Sequence, residues 1–320
     1  MFEMIIIVLG LCVFEIVSSI DNAVVNADVL HTMTNEKAKK FFLTWGMFFA
    51  IFVVRGILPF LIFYLANTSL GLKNSIAAMW HSSPAMIEAI EMSAPLLLMA
   101  GGMFLLLLFL HWLFMEKKNF GLPHEEPIQR MGAVWFYSFA SAILPITIVL
   151  LNKTFEPGKA VYLILAAAIG YCVFFITDGF KKNAEQMEER LIHEGGDKSG
   201  MSDWAKVLFL EIIDITFSID GVIGAFAFTM YVPLILIGNG IGAIVVRQLT
   251  IGNIERIKSY DYLKNGAMYS IGFLGMVMTL EAFAVHIPSW LSPLITIMLV
   301  GYFFMKSVRK NKLQVVAASN

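Results

Sequence analysis

The sequence predicts an all-α, polytopic transmembrane helical bundle of about nine spans with an inverted internal repeat. Three observations predict it. Apolar residues gather into bilayer-length runs, Lys and Arg segregate to alternate connections, and a short acidic motif recurs in corresponding spans.

The apolar runs come first. Hydrophobic residues make up 58% of the 320 and charged residues only 15%, against about 45–50% and about 25% in soluble domains. The excess falls into segments at 4–27, 41–66, 86–115, 131–151, 160–180, 204–230, 232–252, 264–284 and 288–306. Such runs cover a hydrocarbon core about 30 Å thick at about 1.5 Å per residue. In lipid each segment must satisfy its own backbone polar groups, so the runs are helices rather than open sheet. The first run has no basic flank or small-residue cleavage pattern and carries Glu15 and Asp21, so it is read as a retained span rather than a signal peptide. The third is long, and Pro95 with Gly101 and Gly102 predicts a kink or an interfacial first part.

The basic residues test the count. Seventeen of the 23 Lys and Arg fall in one alternating set of connections, from Lys37, Lys39 and Lys40 to Lys306, Arg309, Lys310 and Lys312; only Lys73, Lys153 and Lys159 fall in the other. The positive-inside rule puts the first set in the cytoplasm, hence an N-terminus outside and a C-terminus inside, with a bacterial cytoplasmic membrane as the expected location. The charged stretch 181–203 is expected to extend span five as a cytoplasmic helix and to break at Gly195 and Gly196. The chain is divided accordingly: 1–115 as a first repeat, 116–203 as two linking spans with the charged segment, and 204–320 as a second repeat with a final span.

The repeat is the third observation. Span one carries Glu15, three residues, then Ser19-Ile20-Asp21; span six carries Asp214, three residues, then Ser218-Ile219-Asp220. The next span in each half carries Val-Val-Arg, at Arg55 and at Arg247. Spans one and six lie five crossings apart and so run antiparallel, as in transporters built from inverted repeats with polar residues at the midplane. Glu15, Ser18, Asn22 and Asn26 share one helical face, as do Glu211, Asp214, Ser218 and Gly221. Asp21 and Asp220 fall to one side of those faces. A local unwinding at the Ser-Ile-Asp step, permitted by Gly221 and Gly224, would bring them in.

Five acids, Glu15, Asp21, Glu211, Asp214 and Asp220, would together cost on the order of 10 kcal/mol at helix centres if left uncompensated. Arg55 and Arg247 offset two, and the surplus calls for protons or a bound cation. Carboxylates, Asn amides and Ser hydroxyls are hard oxygen ligands, suited to Mn2+, Mg2+ or Ca2+. The six histidines lie in loops or near span ends, with His111 read as structural, and the two cysteines form no metal-ligand pattern. There is no P-loop and no basic patch for nucleic acid. Asn239 is a candidate partner across the repeat interface, and Glu88, Glu91 and Glu281 lie at outer span ends.

These residues resemble the TerC family of integral membrane proteins. The resemblance rests on Glu15, Ser19, Asp21, Asn22 and Ala23 in span one, on Asp214, Phe217, Ser218, Asp220 and Gly221 in span six, and on the Arg55 and Arg247 spans that follow. It implies an association with tellurite resistance and a similarity to manganese exporters. It also implies an acidic midplane metal site of Glu15, Asp21, Asn22, Asp214 and Asp220, with Glu211 in a less defined role and Ser19, Ser218, Asn26, Arg55 and Arg247 in support. The expected function is export of a hard divalent cation, foremost Mn2+, with inward proton flow as candidate coupling and no organic cofactor or enzymatic activity. The alternatives are export of another small solute, a scaffold in a metal-stress complex, and an intramembrane aspartyl protease built on Asp21 and Asp220, whose Gly-x-Gly-Asp pattern is missing. Expected partners are the bilayer, the ion and, as an open question, a second copy of the chain.

Overall fold

A computed structural model of the chain describes residues 2–46, 48–49, 55–66, 68, 71–80, 84–193, 202–252 and 259–318. Every regular element among them is helical. In chain order these are α1 (Phe2–Ser18), α2 (Ile20–His31), α3 (Glu36–Phe41), a π-helical turn (Phe42–Gly46), α4 (Arg55–Ala66), α5 (Gly71–Trp80), α6 (Pro84–Met115), α7 (Glu125–Thr154), α8 (Pro157–His193), α9 (Asp203–Ala225), α10 (Val232–Gly252), α11 (Leu263–Ala282) and α12 (Leu291–Ala318).

Four described helical stretches are long and apolar enough to cross a membrane: Ser93–Met115, Glu125–Thr154, Pro157–Met187 and Leu291–Leu313. The pair α1 and α2, bent by 43° at Ser19, makes a fifth if it is one span. α9 has the length, but Glu211, Asp214 and Asp220 interrupt its apolar character. Predicted span two is covered in part by the π-helical turn and α4, and residues 47 and 50–54 lie outside the described residues. The charged extension of span five is helical to His193, whereas Gly195 and Gly196 fall outside.

The third span is one continuous helix, α6, through Pro95, Gly101 and Gly102. Its glycines serve packing. A Cβ on Gly102 would stand 2.9 Å from the Thr279 backbone nitrogen, and one on Gly275 would stand 2.9 Å from that of Leu106. Small residues thus let α6 and α11 approach backbone to backbone, the usual route to tight packing where lipid supplies no hydrophobic drive. α7 does bend, at Gly132, whose φ of 68° side chains rarely adopt. Around α6 lies the main core, with Leu11, Phe14, Met99, Trp112, Phe174, Val222, Leu274 and Met278 all buried. α7 and α8 turn Trp135, Tyr137, Phe139, Ile146, Leu165 and Ile169 outward, the surface a hydrocarbon solvent accepts.

The bent pair α1–α2 crosses α9 antiparallel along its whole length. Phe14 meets Gly224, Glu15 meets Gly221, and Asn22 meets Asp214. Lys206 then donates to the Thr32 carbonyl at 3.0 Å, and the Thr34 and Asn35 N–H groups donate to Asp203 at 3.0 and 2.7 Å. Burial pushes the Asp203 carboxyl up, but the N–H groups of Asn35 and Thr34 and the Lys206 ammonium outweigh it and hold its pKa below the usual carboxylate range. Ser202 caps α9 through the Ala205 N–H, and Asn35 caps α3 through Lys37 and Ala38. At the same end, fully buried Glu125 accepts from the Gly121 N–H at 2.7 Å and the Asn265 amide at 2.9 Å, tying the α6–α7 loop to α11.

Candidate metal centre and the cavities on either side

The break in span one positions the first carboxylate. The helix interrupts at Ser19, between α1 and α2, and Ser19 Oγ donates to Glu15 Oε1 at 2.8 Å. Glu15 is 1% exposed. Two glycines make its space: a Cβ on Gly242 would lie 2.7 Å from Glu15 Cβ, and one on Gly221 would lie 3.0 Å from Glu15 Oε2.

The second carboxylate is Asp214, also buried. Asn22 and Asn26, one turn apart on α2, both aim their amide nitrogens at its Oδ1, at 2.5 and 2.9 Å. Ser218 Oγ donates to the Asp214 carbonyl. The oxygens of both amides, Asn22 Oδ1 and Asn26 Oδ1, are buried without a hydrogen-bond partner. So are both oxygens of Glu211, which fill the space that Gly46 leaves open, and both amide atoms of fully buried Asn239. Buried polar atoms without partners are costly, at about 1–3 kcal/mol each. This region therefore concentrates unsatisfied hard oxygen.

Asp21 and Asp220 do not join it. Asp21 Oδ2 pairs with Lys264 at 2.8 Å, and Lys264 also reaches Glu116 at 2.7 Å. Asp220 Oδ2 pairs with Lys181. The expected single set of Glu15, Asp21, Asn22, Asp214, Asp220 and Glu211 is thus split: Asn22 meets Asp214, Glu15 lies two turns away at Gly221, and Asp21 and Asp220 face their lysines. The reason is helical geometry: six residues along a helix turn a side chain about 240° away, and α9 stays helical through the Ser-Ile-Asp step, so nothing swings Asp220 back. Gly221 and Gly224 serve contact with Glu15 and Phe14 rather than unwinding. The unwinding takes place in the first motif alone, at Ser19. Among the described residues no three His, Cys, Asp or Glu side chains converge closely enough to hold an ion by themselves, so a cation at Asp214 would draw on the Asn22 and Asn26 amide oxygens, with Glu15 seven residues, about 10 Å, further along the helix pair. The side chains of Arg55 and Arg247 lie outside the described residues, as do those of Glu88 and Glu91.

Asp21, Asp220 and their lysines line an inner cavity of about 110 Å³ with Ser18, Glu185 and the His111–Asp178–Lys182 chain. His111 is buried, 3.3 Å from Asp178 and edge-on to Phe136. A larger cavity of about 700 Å³ opens at the opposite end, lined by Glu3, Thr229, Tyr231, Glu281, His286 and Ser289. Each of α1, α6 and α11 contributes to both, and on α1 the step from Ile7 to Val17 is about 15 Å. Leu11, Phe14, Val222, Ala225, Leu274 and Met278 pack shut between them. The lysine partners of Asp21 and Asp220 escaped the sequence reading because Lys181 and Lys264 served there only as topology markers, at the ends of helices far apart in the chain.

The family described as "Protein of unknown function (DUF475)" matches residues 20–314. The chain belongs to that family. This DUF475 protein is also 30% identical over 111 residues to "Uncharacterized membrane protein YceF" of Bacillus subtilis, a match covering 35% of this chain and 39% of that protein. No solved structure matches it. With its apolar helices, the DUF475 chain is a membrane protein.

Proposed function

We propose that the chain is a secondary transporter exporting a hard divalent cation, foremost Mn2+, through a carboxylate and amide site between two inverted repeats. The observation that carries this reading is a set of contacts that come in matched pairs. Aligned on Asp21 and Asp220, Glu15 corresponds to Asp214, Asn22 to Gly221 and Cys12 to Glu211. Glu15 lies against Gly221, and Asp214 is held by Asn22. Aligned on Arg55 and Arg247, Gly46 corresponds to Gly238. Cys12 donates to the Gly238 carbonyl, and Glu211 packs on Gly46. Each of these two contacts recurs with the halves exchanged, as an inverted repeat would require.

The site's chemistry supports the cargo. Two buried carboxylates and unpaired amide oxygens match Mn2+, Mg2+ or Ca2+, without the thiolates or imidazoles that softer ions prefer. Two cavities separated by a packed apolar layer fit alternating access. The protease reading is disfavoured because Asp21 and Asp220 each pair with their own lysine. The TerC resemblance points to the same ion and to export; the cytoplasmic C-terminus and nine crossings follow from the basic-residue split and belong to this proposal.

The test is Mn2+ flux into liposomes holding purified protein, with and without a pH gradient, for wild type, Glu15→Gln and Asp214→Asn. Saturable flux in wild type, lost in both variants, is expected. No flux and no saturable cation binding in wild type would overturn the proposal in favour of the scaffold or solute alternatives.

A further inference from the structure

The second acid of each motif has a partner that the repeat does not supply. Asp21, on α2, is held by Lys264 of α11, and the same ammonium reaches Glu116 just beyond α6. Asp220, on α9, is held by Lys181 of α8. These pairs tie five separate segments across the mouth of the inner cavity. Lys264 is about one-third exposed and Lys181 far less, so neither pair is a freely solvated surface contact. Asp220 is 8% exposed and faces the cavity, and its second oxygen, Oδ1, has no hydrogen-bond partner. Among the described residues the opposite cavity is crossed by no ion pair, only by the hydrogen bond from Ser289 to Glu3, and it is about 700 Å³ against about 110 Å³.

We propose that Lys264 and Lys181 are tethered counter-cations that latch the inner cavity shut, and that a divalent cation entering from that side displaces Lys264 from Asp21 and Glu116. The ammonium sits between two carboxylates at cation-contact distances, where a hydrated divalent ion carries twice the charge and keeps its own waters. Asp220's free oxygen gives the arriving ion a first contact that costs no existing bond. Displacement releases α11 from α2 and from the end of α6 in one event, so cargo binding and opening are the same step. The divalent identity of the displacing ion rests on the proposed function; the latch itself does not.

The test reads thiol accessibility in purified protein. Cys12 and Cys172 are replaced by alanine and Met268, buried on the inner cavity wall, becomes the reporter as Met268→Cys, labelled with a small charged thiosulfonate. In the resting protein labelling is slow. Lys264→Met accelerates it about tenfold, the equivalent of about 1.4 kcal/mol of lost closure, and Lys264→Arg does not. Asp21→Asn with Glu116→Gln, which frees the same lysine from the other side, accelerates it too and guards against misfolding of a single variant. Mn2+ accelerates labelling in the otherwise unmodified reporter and adds nothing in Lys264→Met. Unchanged labelling in both the lysine and the double carboxylate variants would overturn the latch. Labelling indifferent to Mn2+ in a protein that still transports it would overturn the displacement. A protein that moves no Mn2+ yet opens on Lys264→Met would leave the latch standing while the cargo assignment fell.

Discussion

Replacing Gly242 by alanine places a methyl group where α1 already is. Its carbon would stand 2.7 Å from Glu15 Cβ and 2.9 Å from both Glu15 Cγ and the Cys12 carbonyl oxygen. Carbon atoms in contact sit about 3.5–4.0 Å apart. Neither a Cβ nor a backbone carbonyl can rotate away, so α1 and α10 must separate by about 1 Å, carrying Glu15 with them. Overpacking of this kind costs about 1–3 kcal/mol. A neighbouring position supplies the control. Gly240, on the same helix, has nothing within 4 Å of a Cβ, so Gly240→Ala gains the same helix propensity of about 1 kcal/mol without a clash. The difference between the two alanines therefore isolates the packing term, about 1–3 kcal/mol against Gly242→Ala. Thermal unfolding in detergent measures it, and cation flux in liposomes measures what the shift does to Glu15. Gly221→Ala separates the two readouts, because its Cβ presses on the tip of Glu15, at 3.0 Å from Oε2, and otherwise meets only Ser18 Oγ at an ordinary 3.7 Å: stability should barely move while flux falls. If Gly242→Ala and Gly240→Ala unfold together and transport equally well, the glycine-made pocket for Glu15 is refuted.

Asn26→Ala removes one of the two amides on Asp214 and should weaken saturable cation binding about tenfold, or about 1.4 kcal/mol; binding titrations in detergent would show it. Asp203→Asn should lower the unfolding temperature at neutral pH. The sign follows from the depressed carboxyl: its stabilisation is complete above the unfolded value of about 3.9 and is lost as pH falls through the folded one, so variant and wild type should converge in acid. Gly102→Ala pushes against backbone on α11, the Thr279 nitrogen at 2.9 Å and the Gly275 carbonyl at 3.1 Å. It should cost about 1–3 kcal/mol, whereas Gly301→Ala, with nothing within 4 Å, should not; equal melting curves would count against close α6–α11 packing.

The sequence by itself determined the helical class, since long apolar runs in lipid leave the backbone no other way to satisfy itself. It also marked Glu15, Ser18, Asn22 and Asn26 as one face and Glu211, Asp214, Ser218 and Gly221 as another, because residues spaced three or four apart share a helix face regardless of what surrounds them. It could not say that Asp21 and Asp220 belong elsewhere. Both acids occur in the same motif as Glu15 and Asp214, and only the packing of α8 and α11 brings Lys181 and Lys264 to them. Nor could it decide what the glycines do. Gly102 and Gly221 look like hinges along the chain, yet each lies where another helix or a buried carboxylate presses in. Ion-pair partners and close approaches depend on how separate helices pack, and tertiary structure alone decides which lysine meets which acid.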